Sequence, residues 1–465
     1  MKKIYAMLLT AAMLLMTLTA CGGAASSAAE DSADRAETVT QATPDTGTDQ
    51  EAAAAPAEER PGKPPEGTPP GDLPEGMPGG PGGMPPGDPP NGGGPGGTPP
   101  GGFGGGMPGG PGGGSADIDY TAAVEITSGD TQSGRTYAGS TSDENALLIS
   151  TSDDVTITDP TVTKTGDSDG GDSCSFYGLN AAVLVKDGTA ATITGGTVTS
   201  DANGANGVFC YGGNGGRNGA EGDGTTVVIR DTTIVTTGDG SGGIMTTGGG
   251  VTHAYDLNVT TSGRSSAAIR TDRGGGTVTV EGGSYTTNGL GSPSIYSTAD
   301  VTVSNATLIS NLSEGVCIEG LNSVMLNNCE LTACNTQRNS NAAFLDTIMI
   351  YQSMSGDAAS GTGRFTMTGG TLTSKSGHVF HVTNTSAVIT LEGVEIVNED
   401  ADNILLSVCA DGWSGGENTA VLKAVSQKLS GAVKVGSDSA LTMELTDGSA
   451  FEGSIDGSIT NARVY

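Results

Sequence analysis

Aromatic residues are scarce in this chain, at 4% of 465 positions with a single Trp, and long runs of Leu are missing. Thr, Val, Ile, Ser and Gly dominate instead, which is the chemistry of strands and turns. Positive charge is also short, with 20 Lys and Arg against 52 Asp and Glu and a formal net charge of −32. That balance excludes nucleic acid as a partner and argues against adhesion to anionic lipid, because both attract basic surfaces. It suits solubility and mutual repulsion of copies. No segment after residue 21 is long and apolar enough to span a membrane, and none there has helical periodicity. The chain has no GxSxG nucleophile elbow or Gly-rich phosphate loop in context, and no CxxC pair at zinc-ligand spacing. Of its three histidines, His253 stands far from the others, and strict alternation puts His378 and His381 on opposite faces of one strand.

What is present is one short pattern written nine times between about residues 145 and 407. Asp159, Gly195, Asp231, Asp256, Gly282, Asn305, Asn328, Gly369 and Gly393 form its first column. These are the residue types that tolerate a left-handed backbone, so the column marks a sharp corner between strands. Two residues before each stands Ile157, Ile193, Ile229, Ala254, Val280, Val303, Leu326, Met367 or Leu391. Three residues after each stands Val162, Val198, Ile234, Val259, Tyr285, Leu308, Leu331, Leu372 or Ile396. The shortest repeat, in the low twenties, is too short for helix pairs and fits a stacked β-coil. A third inward column is expected upstream at Ile149, Val185, Cys210, Ile244, Ile269, Ile295, Ile318 and Ile350. The reading is an all-β, right-handed parallel β-helix with about three strands per coil. Residues 118–137 form the entry strand and cap, and the chain after Ala420 forms last, shorter coils.

The chain divides into four parts. Residues 1–21 carry Lys2, Lys3 and a short apolar core, as a signal peptide does. Leu18-Thr19-Ala20-Cys21 resembles the lipobox of bacterial lipoproteins, which implies cleavage before Cys21 and lipidation of its sulfur. An ordinary secretory signal with a chance cysteine is the alternative. Residues 22–60 are polar and without apolar periodicity, the composition of a disordered segment. Residues 61–114 are almost wholly Pro and Gly without a strict third-position Gly, so they read as a linker and not as collagen. Residues 115–465 are the β-helix domain with its caps.

Five inserts interrupt the repeat, at 166–178, 211–224, 332–345, 353–363 and 410–418, and inserts of a solenoid often carry function. The first holds Asp167, Asp169 and Asp172 on a Gly-rich loop, where alternating carboxylates can wrap Ca²⁺; a solvated acidic loop is the plain alternative. Calcium is the one cofactor the sequence suggests. One residue beyond each upstream inward position lies an outward one, giving Lys186, Tyr211, Met245, Arg270, Tyr296, Glu319 and Tyr351, with His381 next. Tyr211, Tyr296 and Tyr351 in such a row can stack on sugar faces, or can merely pair along the ladder. Arg270, Asp272 and Arg273, beside Glu319, make the densest charge group on that face, in which an Arg acts as base or carboxylate clamp toward an acidic sugar, or Arg270 and Glu319 form a surface ion pair. Trp413 sits on the last insert, where it either stacks on a ligand or packs down over the solenoid. The six cysteines after Cys21 read as small core hydrophobes, with Cys329 and Cys334 the most plausible local pair.

The domain resembles the pectin-lyase-like β-helix superfamily over most of residues 120–465. With its lipobox and Pro/Gly stalk, the chain is similar to bacterial cell-surface β-helix lipoproteins described as adhesin-like or carbohydrate-binding. The Asn-Thr-Asp, Gly-His-Gly and Arg-Ile-Lys signatures of polygalacturonases are absent, so no catalytic residue carries over. The resemblance implies a lipid-anchored, non-catalytic binder of polysaccharide or host and cell-surface glycan on the outer face of the bacterial membrane. Its ligand-binding residues would be Tyr211, Arg270, Asp272, Tyr296, Glu319, Tyr351 and Trp413. A Ca²⁺-dependent polysaccharide lyase using Arg270 and a protein-binding stalk or adhesin are the alternatives.

Overall fold

The computed structural model describes residues 118–464 apart from 216–220, 340, 414–415 and 417. The segments read as a signal peptide with Cys21, a polar segment and a Pro/Gly linker lie outside the described residues. Within them the backbone runs through three sheets in strict rotation. Sheet 1 has 13 parallel strands, from Thr121–Ile126 to Ile455–Asp456. Sheet 2 has 13, from Asp130–Ser133 to Asn461–Val464, and sheet 3 has 10, from Thr136–Gly139 to Glu395–Asn398. Each strand pairs with the strand one coil earlier and one coil later. The domain is a right-handed parallel β-helix of three strands per coil. Residues 121–139 already make a full coil, and a short two-stranded ladder, Lys428–Ser430 with Ala450–Glu452, replaces sheet 3 at the far end.

The corner column joins sheets 2 and 3. All nine of its residues have positive φ, from 48° at Asp159 to 71° at Gly282. Gly134 at 61° and Ser426 at 48° extend the same corner in both directions. Eight of the nine corner N–H groups, all but that of Gly393, donate to a carbonyl of the next coil, as Asp231 does to Tyr255 at 3.0 Å, so the turn keeps its backbone hydrogen bond there. Asn328 Nδ2 also donates to Asn305 Oδ1 at 2.8 Å, which makes a short amide ladder along the outside. Where the corner begins with Gly195, Gly282 or Gly369, a second Gly with positive φ follows. At Gly283, with φ 87°, an added Cβ would lie 2.4 Å from the Leu257 carbonyl oxygen. Gly283→Ala is expected to cost about 2–3 kcal/mol, read as a lower denaturation midpoint with unchanged slope.

The flanking columns fill the bore. Ile157, Ile193, Ile229, Val303, Leu326 and Leu391 are at most 1% exposed, as are Val198, Tyr285, Leu308 and Leu372 on the next side. Each buried aliphatic side chain contributes about 1.5–3 kcal/mol, and the solenoid repeats that gain at every coil. The six cysteines of residues 118–464 are all unpaired, so Cys329 and Cys334 make no bridge. Cys210 and Cys329 belong to the core cluster.

The upstream column is correct in face and wrong in pairing. Ile149, Val185 and Cys210 stack in register, but Cys210 pairs with Thr246 and not with Ile244. Thr246 is followed by Thr271 in the next coil, and Ser297 pairs onward with Ile318. Ile244, Ile269 and Ile295 belong to a parallel column that begins at Leu147 and Val183 and continues through Val316 and Ile348. The inward row passes through buried polar residues for three coils, so an apolar pattern jumps two positions to its neighbour. A shift of two preserves the face. It splits the outward set into two rows, one holding Met245, Arg270, Tyr296 and His381, the other Tyr211, Glu319 and Tyr351.

Candidate functional site: a covered sheet face with an open cleft

The outward face of sheet 1 is not bare. Inserts 166–178 and 332–345 arrive at its edge from sheet 3, and 211–224, 353–363 and 410–418 leave toward sheet 2, so both edges carry loops. The first insert folds into a helix, Asp172–Tyr177, whose Phe176 and Tyr177 pack on Leu148, Leu184, Phe209 and Met245. Tyr211 is part of this outer cluster, 6% exposed and edge-on to the Tyr177 ring at 5.7 Å. The expected exposed tyrosine row is therefore corrected: Tyr211 and Tyr351 are buried, as is Glu319 at 1% exposure. Inserts carry no periodicity that would reveal which face they cover.

Between the helix and the later inserts a cleft of about 250 Å³ stays open. Its walls include Arg270, Asp272, Tyr296, Tyr351 and Trp413, so five of the seven expected ligand-binding residues meet there. Glu319 lies behind the wall, accepting the Tyr296 hydroxyl at 2.7 Å and the Ser353 hydroxyl and N–H. Tyr211 is not among the residues lining the cleft. Arg270 and Glu319 form no ion pair, because they stand in different rows. Arg270 Nη2 instead binds Asp272 Oδ2 at 2.8 Å and Ser175 Oγ at 3.3 Å, while Nη1 donates to the Ser265 carbonyl. Arg273 binds Asp357 at 2.8 Å and lies 4.1 Å over the Phe176 ring. Arg270, which lines the cleft, thus has its own carboxylate, as does Arg273 beside it.

Trp413 packs down against Tyr351, with ring centroids 4.8 Å apart and planes at 56°. Its Nε1–H has no hydrogen-bond partner among the described residues. Burial pushes the Asp272 carboxyl up to about 7, against the lowering pull of Arg270. Burial also pushes the Tyr296 phenol well above its ordinary range, and the neighbouring Glu319 adds to that, so this hydroxyl stays a donor. Sequence reasoning missed Ser175, Phe176, Asn339 and Asp357, which also line the cleft. All four stand on inserts, which is the one signal that pointed toward them.

Asp167 Oδ1 accepts the Asn203 N–H at 2.8 Å, while Asp172 opens the helix and faces the cleft. Among the described residues no group of three or more His, Cys, Asp or Glu side chains is placed to hold a metal ion.

Beyond the cleft, His378 and His381 do meet, contrary to the alternation expected of them. Val379 and Phe380 both enter the core cluster, so alternation breaks between the two histidines. Both Nδ1 atoms lie 2.7 Å from Ser407 Oγ, and His381 Nε2 lies 3.1 Å from Asp411 Oδ2. Asp411 also accepts the Ala343 N–H at 2.5 Å. This carboxylate therefore ties insert 332–345 and the Trp413 loop to the sheet. The His381, Ser407 and Asp411 side chains are fully buried and do not line the cleft, which fits a structural tether.

Burial and the neighbouring His381 push His378 down to about 4, against the smaller opposing pull of Asp400 and Asp402. A histidine held neutral stabilises the fold above its unfolded value near 6.5 and loses that contribution as pH falls toward 4. The wild type is expected to lose up to about 3 kcal/mol more than His378→Gln across that window, measured by urea unfolding at each pH.

The chain matches no family model, and no curated protein or solved structure is significantly similar to it.

Proposed function

We propose that the protein is a lipid-anchored, surface-exposed polysaccharide-binding protein of pectin-lyase-like architecture, and that its cleft takes a neutral stretch of sugar. The observation that carries this reading is the convergence of Tyr296, Tyr351 and Trp413 on one opening beside paired Arg270 and Asp272. Ring faces pack against the apolar faces of pyranose rings, and fixed guanidinium and carboxylate groups exchange hydrogen bonds with hydroxyls. Arg270 is held by Asp272 and Ser175, and Arg273 nearby by Asp357, so among the described residues lining the cleft no cation is left over for a uronic acid. The same pairing weakens the lyase alternative, which needs Arg270 unprotonated or free to clamp a carboxylate. Cys21 supplies the anchor and the linker the reach in this reading.

The test is a glycan array probed with the full chain kept soluble by Cys21→Ser. Binding to neutral polysaccharides without bond cleavage is the expected result. Preference for polyuronates with unsaturated products would replace the reading with a lyase, and binding to host proteins alone would replace it with an adhesin.

A further inference from the structure

At the foot of insert 332–345 three buried oxygen atoms, two on Asp346 and one on Asn335, have no hydrogen-bond partner among the described residues. Gly315 N–H donates to the Thr347 carbonyl at 2.8 Å, and Val316 pairs with Ile348. The residues just before them, Glu314 and Asp346, therefore stand opposite each other on adjacent coils, about 4.8 Å apart along the ladder. Glu314 is 4% exposed and Asp346 1%. Neither has a Lys or Arg partner among the ion pairs of the described residues. Neither oxygen of the Asp346 carboxylate has a hydrogen-bond partner. Asn335, on insert 332–345 and 1% exposed, donates Nδ2 to the Asp346 carbonyl at 3.1 Å, which brings its amide to the pair. Its Oδ1 is buried and also without a partner. The Ser313 hydroxyl donates to Glu314. His378, the register partner of Asp346, is turned to Ser407.

Two opposed carboxylates in a dry interior repel each other and lose hydration, so the folded state compensates them there with protons or with a cation. A proton shared between them would satisfy at most the carboxyls and leave Asn335 Oδ1 alone. All the unpartnered atoms are acceptors, and a hard cation takes several at once. We propose that Glu314, Asp346 and Asn335 hold one Ca²⁺ ion, with Asp346 as the bidentate ligand. This set has two carboxylates and an amide, a smaller acidic group than a three-carboxylate site. It lies apart from the Asp167–Asp169 loop. The ion fastens insert 332–345 to sheet 1, and that insert carries Asn339 of the cleft and Ala343, which holds Asp411.

The test measures calcium content by mass spectrometry and the melting temperature of the full chain, Cys21→Ser, in CaCl₂, in EDTA and after adding CaCl₂ back. The expected result is bound calcium, a melting temperature lower by about 5 °C or more in EDTA, and full recovery on return of calcium. Asp346→Asn and Glu314→Gln should each remove one calcium per chain and most of the EDTA effect, whereas Asp167→Asn with Asp169→Asn should change neither. A wild type that holds no calcium and melts identically in EDTA overturns the proposal, even if the variants fail to fold. So does calcium retained in full by both Asp346→Asn and Glu314→Gln.

Discussion

Truncating both rings at the cleft, as Tyr351→Ala with Trp413→Ala, is expected to lower affinity for a neutral oligosaccharide by about 100-fold or more. The two ring centroids lie 4.8 Å apart, so the losses should be coupled. Removing Trp413 alone leaves Tyr351 as a wall of the cleft, so a loss of about tenfold is expected from the single change. The fold should survive, because both side chains lie outside the bore and belong to a small outer cluster with Cys317 and Met349. Isothermal titration checks the affinity, and unchanged far-ultraviolet circular dichroism checks the fold. Tyr211→Ala is the matched control. It removes a tyrosine of the same face that packs on Tyr177 away from the cleft, so stability should drop while affinity holds.

The second large effect lies in the bore. Tyr285→Ala is expected to destabilise the domain by about 3–5 kcal/mol, because it empties one of the largest fully buried side chains. Tyr285 stands where the other coils place Val, Ile or Leu, and its hydroxyl has no hydrogen-bond partner. Burial pushes that phenol well up, so it stays neutral across the working range. Tyr285→Phe removes an unsatisfied polar atom while keeping the ring, and should be neutral or stabilising by about 1 kcal/mol. Urea unfolding of the two variants separates ring packing from the hydroxyl. A large loss in Tyr285→Phe would mean that the hydroxyl has a partner.

The corner column was legible because only a few residue types accept positive φ, and all nine stations carry Asp, Asn or Gly. The extension to Ser426 was not legible, since Ser carries no comparable preference. The core columns on either side of the corner were legible for the same reason that they are stable, namely that every coil buries an apolar residue at the same offset. The sheet 1 column failed at Thr246, Thr271 and Ser297, where small polar residues are buried in the bore. A period-two pattern cannot tell a row from its neighbour two residues away, so Tyr296 and Tyr351 were grouped in one ladder when they occupy two. They still reach one cleft, because inserts close around both rows. Nothing local in sequence placed the helix Asp172–Tyr177 over sheet 1, since that contact joins residues two coils and some seventy positions apart, such as Phe176 and Thr247. His378 and His381 were separated by an alternation that Val379 and Phe380 interrupt.

The most direct measurement uses Trp413, the single tryptophan of the chain, as its own reporter. A titration with neutral polysaccharide should change its emission along a saturable curve whose midpoint equals the calorimetric dissociation constant, and Tyr351→Ala should weaken both together. Glycan binding that saturates by calorimetry while Trp413 emission stays constant would place the ligand elsewhere on the solenoid and contradict the cleft.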